Sequence, residues 1–175
     1  GTLGIVGPGG TTHPTALGSI TGPRNINING GTFELVGGDF DASVNTMQFV
    51  IGSAGGTIRS TMGANVTIND LTQFSGSGDL TFTGGGRFLL NAATNYNFTG
   101  GVTLDGGIMT LGNGAITSYN VIGTRPEQTI RLKAGSALIN QVTFGLGGNG
   151  LINNIIAEGG AELYALGGNR VYSGD

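Results

Sequence analysis

A short frame recurs along this chain: an apolar residue, any residue, an apolar residue, a polar residue, then a Gly-Gly pair. It reads Ile26-Asn27-Ile28-Asn29-Gly30-Gly31, then Leu80-Thr81-Phe82-Thr83-Gly84-Gly85, then Val102-Thr103-Leu104-Asp105-Gly106-Gly107. Ile130-Arg131-Leu132-Lys133-Ala134-Gly135 carries alanine in place of the first glycine. Ile155-Ile156-Ala157-Glu158-Gly159-Gly160 is the last copy, and a looser one, Phe49-Val50-Ile51, precedes Gly55-Gly56. The pairs open at positions 30, 55, 84, 106, 134 and 159, in steps of 25, 29, 22, 28 and 25 residues, about 26 on average. A period of that size marks a solenoid, a propeller or an array.

The local pattern chooses among them. Alternation with period two is the signature of strands with one buried face. It resumes after each pair, as Thr32-Phe33-Glu34-Leu35, Ile108-Met109-Thr110-Leu111 and Ser136-Ala137-Leu138-Ile139. The glycines Gly30, Gly31, Gly55, Gly56, Gly84, Gly85, Gly106, Gly107, Gly135, Gly159 and Gly160 therefore read as turn residues between short strands. No window carries a convincing helical stripe, and a propeller blade needs about 40 residues. An antiparallel sandwich of hairpins is the competing all-β reading. The expected fold is a right-handed parallel β-helix spanning residues 1–175 as a single segment, with about six to seven coils of roughly 26 residues. Ile28, Phe82, Leu104 and Leu132, equivalent in the frame, should form one inward ladder.

Composition narrows the function. Glycine supplies 37 of 175 residues, roughly three times its ordinary share. Its spacing is not that of collagen, and 38% hydrophobic with 10% charged residues is unlike a disordered chain. The net charge is −3, and Arg24, Arg59, Arg87, Arg125, Arg131, Lys133 and Arg170 are scattered. That argues against a nucleic-acid face or a polybasic membrane patch. No run of about 18 apolar residues offers a transmembrane helix, and no cysteine offers a disulfide or thiolate site. The opening at Gly1 and the closing Val171-Tyr172-Ser173-Gly174-Asp175 suggest an internal stretch of a longer parent.

One stretch is more specific than the period. Tyr96-Asn97-Phe98-Thr99-Gly100-Gly101-Val102-Thr103-Leu104-Asp105-Gly106-Gly107-Ile108-Met109-Thr110-Leu111-Gly112-Asn113-Gly114 resembles the autotransporter-associated repeat of bacterial passenger domains. Gly76 through Gly85 resembles the segment that precedes that repeat, so the close match covers residues 76–114, and Val171-Tyr172-Ser173-Gly174 looks like the start of another copy. The resemblance implies export, a β-helical rod and a parent anchored through a C-terminal β-barrel, which is absent from this stretch.

Few residues invite chemistry. Gly145-Leu146-Gly147-Gly148-Asn149-Gly150 fits the dinucleotide-binding glycine pattern, but strand-like residues follow it where a helix is required. Gly76-Ser77-Gly78-Asp79-Leu80 resembles half a calcium-binding repeat without a second copy nine residues on. Asp39 and Asp41 flank Phe40 as a glycosidase pair would, without basic or further acidic neighbours. His13 is the only histidine, too little for a metal cage or a recognisable triad. Asn65-Val66-Thr67 and Asn97-Phe98-Thr99 match the glycosylation sequon within strand-like frames. Asn25, Asn27 and Asn29, with Thr81, Thr83 and Thr103, should face outward and suit glycans or ice, though Arg131 and Ile156 interrupt the row.

The expected role is accordingly a structural or adhesive rod of an extracellular or outer-surface protein, with no catalytic residues, cofactor or metal. Its expected partners are the rest of a parent chain or neighbouring copies at the coil ends, with glycans or a host surface along the side. A polysaccharide-acting β-helix enzyme or tailspike segment is the alternative, and an accessory subunit of a larger assembly is another.

Overall fold

In a computed structural model of the protein, residues 1–6, 24–36, 40–41, 47–61, 65–68, 74–90, 97–112, 128–141 and 154–165 are described. Among them every regular element is a strand. Sheet I holds β1 (Thr2–Val6), β3 (Gly31–Val36), β6 (Gly56–Thr61), β9 (Leu80–Thr83), β12 (Val102–Asp105), β14 (Thr129–Leu132) and β16 (Asn154–Ala157), in that order. Sheet II holds β4 (Phe40–Asp41), β7 (Asn65–Ile68), β10 (Arg87–Leu90), β13 (Gly107–Leu111), β15 (Ser136–Asn140) and β17 (Glu162–Ala165). Sheet III holds β2 (Arg24–Ile28), β5 (Met47–Ile51), β8 (Phe74–Gly76) and β11 (Asn97–Phe98).

Every pairing is parallel, and neighbours in a sheet are never neighbours in sequence. From β2 to β13 the chain visits sheets III, I and II in turn, returning one strand further along each time, and β14 to β17 extend sheets I and II in the same sense, which is a parallel β-solenoid. The sandwich alternative is thereby removed. In sheet I, Gly31, Gly56, Leu80, Val102, Ile130 and Ile155 share one register position. Their steps are 25, 24, 22, 28 and 25 residues, close to the period of the glycine pairs.

Alternation sorts each strand. In β9, Leu80 and Phe82 are buried while Thr81 and Thr83 are half-buried; in β12, Val102 and Leu104 are buried while Thr103 and Asp105 are half-buried. Side chains of one period-two set from three sheets meet inside the tube. Phe82, Leu104 and Leu132 stack in register, each at most 1% exposed. Aromatic rings run through the interior: Phe33 to Phe49 at 5.3 Å, Phe49 to Phe74 at 5.5 Å and Phe82 to Phe88 at 5.0 Å between centroids. Such contacts add about 0.5–1.5 kcal/mol each beyond the area they bury.

Ile28 departs from expectation. It is buried, but in sheet III, in register with Ile51 and, through it, Gly76. The glycine pairs at 30 and 55 lie between sheets III and I, whereas those at 84 and 106, Ala134-Gly135 and Gly159-Gly160 lie between sheets I and II. The frame therefore marks two corners, not one, and changes corner between Gly56 and Gly84. Both corners ask for the same thing, a reversal of direction after an apolar inward residue, so they share a sequence.

Gly84 shows why glycine is required. Its φ is +99°, and a β-carbon there would overlap the carbonyl oxygen of Ser60 in strand β6. Its companion Gly85 has open space around the β position. Gly84→Ala should therefore destabilise the protein by more than about 1 kcal/mol in denaturant melts, with Gly85→Ala far milder. Leu104→Ala should cost about 2–5 kcal/mol by the same measurement. Thr103→Ala, next to it but facing outward, should cost under about 1 kcal/mol.

Candidate functional site

Parallel in-register pairing turns the outward residues of sheet I into columns. One column is Thr2, Thr32, Thr57, Thr81 and Thr103, each in register with the next, continued by Arg131 and Ile156. Successive members lie about 4.8 Å apart, the strand spacing of a sheet. Thr2 is exposed and the other four are half-buried. The run is longer than Thr81 and Thr103 alone suggested, and it ends at Arg131 and Ile156 as their frame positions indicated.

The next outward column carries charge: Gly4, Glu34, Arg59, Thr83 and Asp105 in register. Lys133, one residue past the Leu104–Leu132 pair, continues it. Opposite signs meet along it. Arg59 lies 3.5 Å from Glu34 and Lys133 Nζ 3.0 Å from Asp105 Oδ2, and Arg131 of the threonine column reaches across to lie 3.7 Å from Glu158. Each pair has at least one side chain about half exposed, so each contributes under about 1 kcal/mol and weakens with salt. Their main effect is to neutralise the face without leaving a charged patch.

On the other flank lies the corner between sheets III and I. Asn29 Oδ1 accepts a hydrogen bond from the Ala54 amide at 2.9 Å, and Asp79 Oδ1 accepts one from the Gly101 amide at 2.8 Å. Beside it, Asp79, Thr99, Thr103, Gln128, Thr129 and Arg131 line an open groove of about 380 Å³. Gln128 forms the floor, 4% exposed, and its Nε2 donates to the carbonyls of Phe98 and Gly100, both at 3.0 Å. β11 is the last strand of sheet III among the described residues, and this side-chain amide ties its Phe98 and the Gly100 corner after it to the coil that follows. Elsewhere, the Tyr164 hydroxyl donates to Glu162 Oε2 at 2.8 Å, and that hydrogen bond, aided by the carboxylate charge, raises the phenol above its ordinary value of 10.0.

The residues singled out from sequence fall in scattered places. His13, Asp39 and the glycine run 145–150 lie outside the described residues. Asp41 closes β4, in register with Thr67. Gly76 through Leu80 spans the turn from β8 to β9, where Asp79 is engaged as a corner acceptor. Asn65 opens β7 and Asn97 opens β11. Among the described residues no three His, Cys, Asp or Glu side chains gather as a metal site would need, and no helix is long and apolar enough to cross a membrane. Of the turn glycines, Gly30, Gly55, Gly84, Gly106, Gly107, Gly135 and Gly160 have positive φ, as do Gly76 and Gly112, which the frame did not single out.

Two structural roles lay outside the sequence reading. A β-carbon on Gly100 would overlap the Gly78 carbonyl oxygen, and one on Gly78 would overlap that of Gly52, so tight stacking at this corner depends on both. Their 22-residue spacing, matching the Leu80-to-Val102 step, is the available signal. Gln128 had none, since its partners Phe98 and Gly100 lie 30 and 28 residues earlier. Comparison with family models, curated proteins and solved structures finds no match for the chain.

Gln128→Ala should remove both of these buried hydrogen bonds and cost about 1–3 kcal/mol in a denaturant melt. Lys133→Ala should cost under about 1 kcal/mol, with the difference from the parent shrinking at high salt.

Proposed function

We propose that this protein is a non-catalytic rod segment of an extracellular or outer-surface bacterial protein, built from repeats like those of autotransporter passengers. In this reading the solenoid is right-handed, as nearly all parallel crossovers are, and has about six to seven coils. The single observation that carries it is the outward face of sheet I: a straight run of threonines beside a column of mutually neutralised charges. Such a face is suited to contact along its length with a neutral polymer such as a surface polysaccharide. Bond cleavage would instead call for titratable groups converging on one point.

The test is retention of the purified protein on immobilised polysaccharides, with an assay for newly released sugar ends. The reading predicts retention without release, and at least tenfold weaker retention for the Thr57→Lys/Thr81→Lys/Thr103→Lys variant. Retention unaffected by that variant would contradict the assigned contact face. Release abolished by Asp41→Ala would contradict the non-catalytic reading.

A further inference from the structure

Three successive coils bring Asp79, Gly101 and Thr129 into one line. Each stands one residue before the mutually paired Leu80, Val102 and Ile130. Asp79 and Thr129 carry polar side chains at that place, and Gly101 between them carries none. Conformation does not require glycine there, since Gly101 is not among the glycines of positive φ. Nor does backbone overlap the position, as it does at Gly78 and Gly100. A β-carbon on Gly101 would stand 3.2 Å from Asp79 Oδ1 and 3.6 Å from the Thr129 carbonyl oxygen. A larger side chain would therefore enter the space between its two polar neighbours, whose strands lie two spacings apart, about 9.6 Å. All three residues line the groove of about 380 Å³, so the missing side chain helps to keep it open. That volume lies within the range of small-ligand sites, about 300–1,000 Å³.

The walls select among ligands. Among the described residues that line the groove, only Asp79 and Arg131 are charged, one of each sign, and Arg131 already lies 3.7 Å from Glu158. No excess positive charge is left to hold an anion. One carboxylate also falls far short of the six to eight oxygens a calcium ion takes. What remains is a dense set of partners for hydroxyl groups. Asp79 Oδ1 is held by the Gly101 amide, and its carboxylate keeps Oδ2 as a second acceptor. The Thr99 hydroxyl donates to the Gly76 carbonyl at 3.4 Å and can accept from a ligand. The hydroxyls of Thr103 and Thr129 can donate or accept, whereas Arg131 only donates. Ile156 adds an apolar flank that is 43% exposed. A pyranose ring has the matching form, a rim of hydroxyls around a face of C–H groups.

We infer that this groove binds a single uncharged pyranose unit of a polysaccharide. Asp79 and Arg131 take its hydroxyls, and Ile156 lies against its C–H face. Thr103 and Arg131 belong both to the groove and to the outward column of sheet I. A polymer lying along that column reaches the groove with one sugar or one branch, an assignment that rests on the polysaccharide reading and adds to it the class of sugar selected. The site is held ready in advance, because the Gly101 amide fixes Asp79 and the buried Gln128 floor is bonded to two carbonyls. Such preorganisation lowers the ordering cost of binding.

Amide NMR shifts test it, with isotope-labelled protein titrated with the methyl glycosides of glucose, galactose and mannose, and with a methyl glucuronide as the anionic probe. The expected result is saturable movement of the Gly101 amide with at least one neutral glycoside, no movement at Thr32 or Thr57, and weaker binding of the glucuronide. Asp79→Asn keeps an acceptor for the Gly101 amide but puts a donor in place of the second oxygen. It should weaken binding at least tenfold in a chain whose circular dichroism melt stays close to the parent's. Gly101→Leu, which fills the space between Asp79 and Thr129, should abolish binding. No saturable shift with any neutral glycoside, full-strength binding by the Asp79→Asn variant, or preference for the glucuronide would overturn the inference. Polysaccharide retention by a chain that binds no glycoside in the groove would count against this inference alone. Glycoside binding in the groove without retention on any polysaccharide would count against the adhesive reading alone.

Discussion

Each residue of this solenoid sits about one strand spacing from its equivalent in the adjacent strand of the same sheet. That in-register pairing is the constraint on which everything else depends. Most inward positions stay apolar in successive strands, because each side chain rests on the one before it, Phe82 on Leu104 on Leu132 and Phe49 on Phe74, while buried Ser60 and Asn140 follow Leu35 and Leu111. An outward position is repeated just as faithfully, so a threonine in one strand becomes a column of threonines. A charge repeated in this way would meet its own kind. The chain avoids that by alternating sign, Glu34 beside Arg59 and Asp105 beside Lys133.

The corners obey the same rule with less freedom. Where the backbone turns between sheets, the neighbouring coil lies directly against it, and a carbonyl oxygen fills the place a β-carbon would take at Gly78, Gly84 and Gly100, from Gly52, Ser60 and Gly78. Polar side chains at these corners add bonds between turns, as Asn29 does to Ala54 and Asp79 to Gly101. Beside the last described strand of sheet III, the Gln128 amide bonds the carbonyls of Phe98 and Gly100. A glycine-rich composition, few charges and many outward threonines are thus consequences of one pairing geometry.

This explains what could be read from the residues alone. The period, the all-β class and the inward places of Phe82, Leu104 and Leu132 were legible, because alternation and spacing encode them directly. The assignment of Ile28 to the same ladder failed for a physical reason. A Gly-Gly pair after an inward residue satisfies either corner equally well, and only the pairing of Gly56 with Leu80 reveals the change of phase. The threonine column was half visible. Thr81 and Thr103 share the glycine frame, while Thr32 and Thr57 follow a pair instead of preceding one, so their alignment emerges only with the register. Gln128 was invisible, since its role exists only against a distant strand.

The absence of native cysteine permits a direct measurement of that register. The Thr57→Cys/Thr81→Cys variant places two thiols on adjacent parallel strands at matched positions, within the span a disulfide tolerates. Thr57→Cys/Thr83→Cys places them on the same strands but two residues out of register. The account predicts rapid, nearly complete intramolecular cross-linking of the first pair under mild oxidation, with little in the second. Equal cross-linking of the two pairs, or preference for the second, would contradict the in-register parallel solenoid.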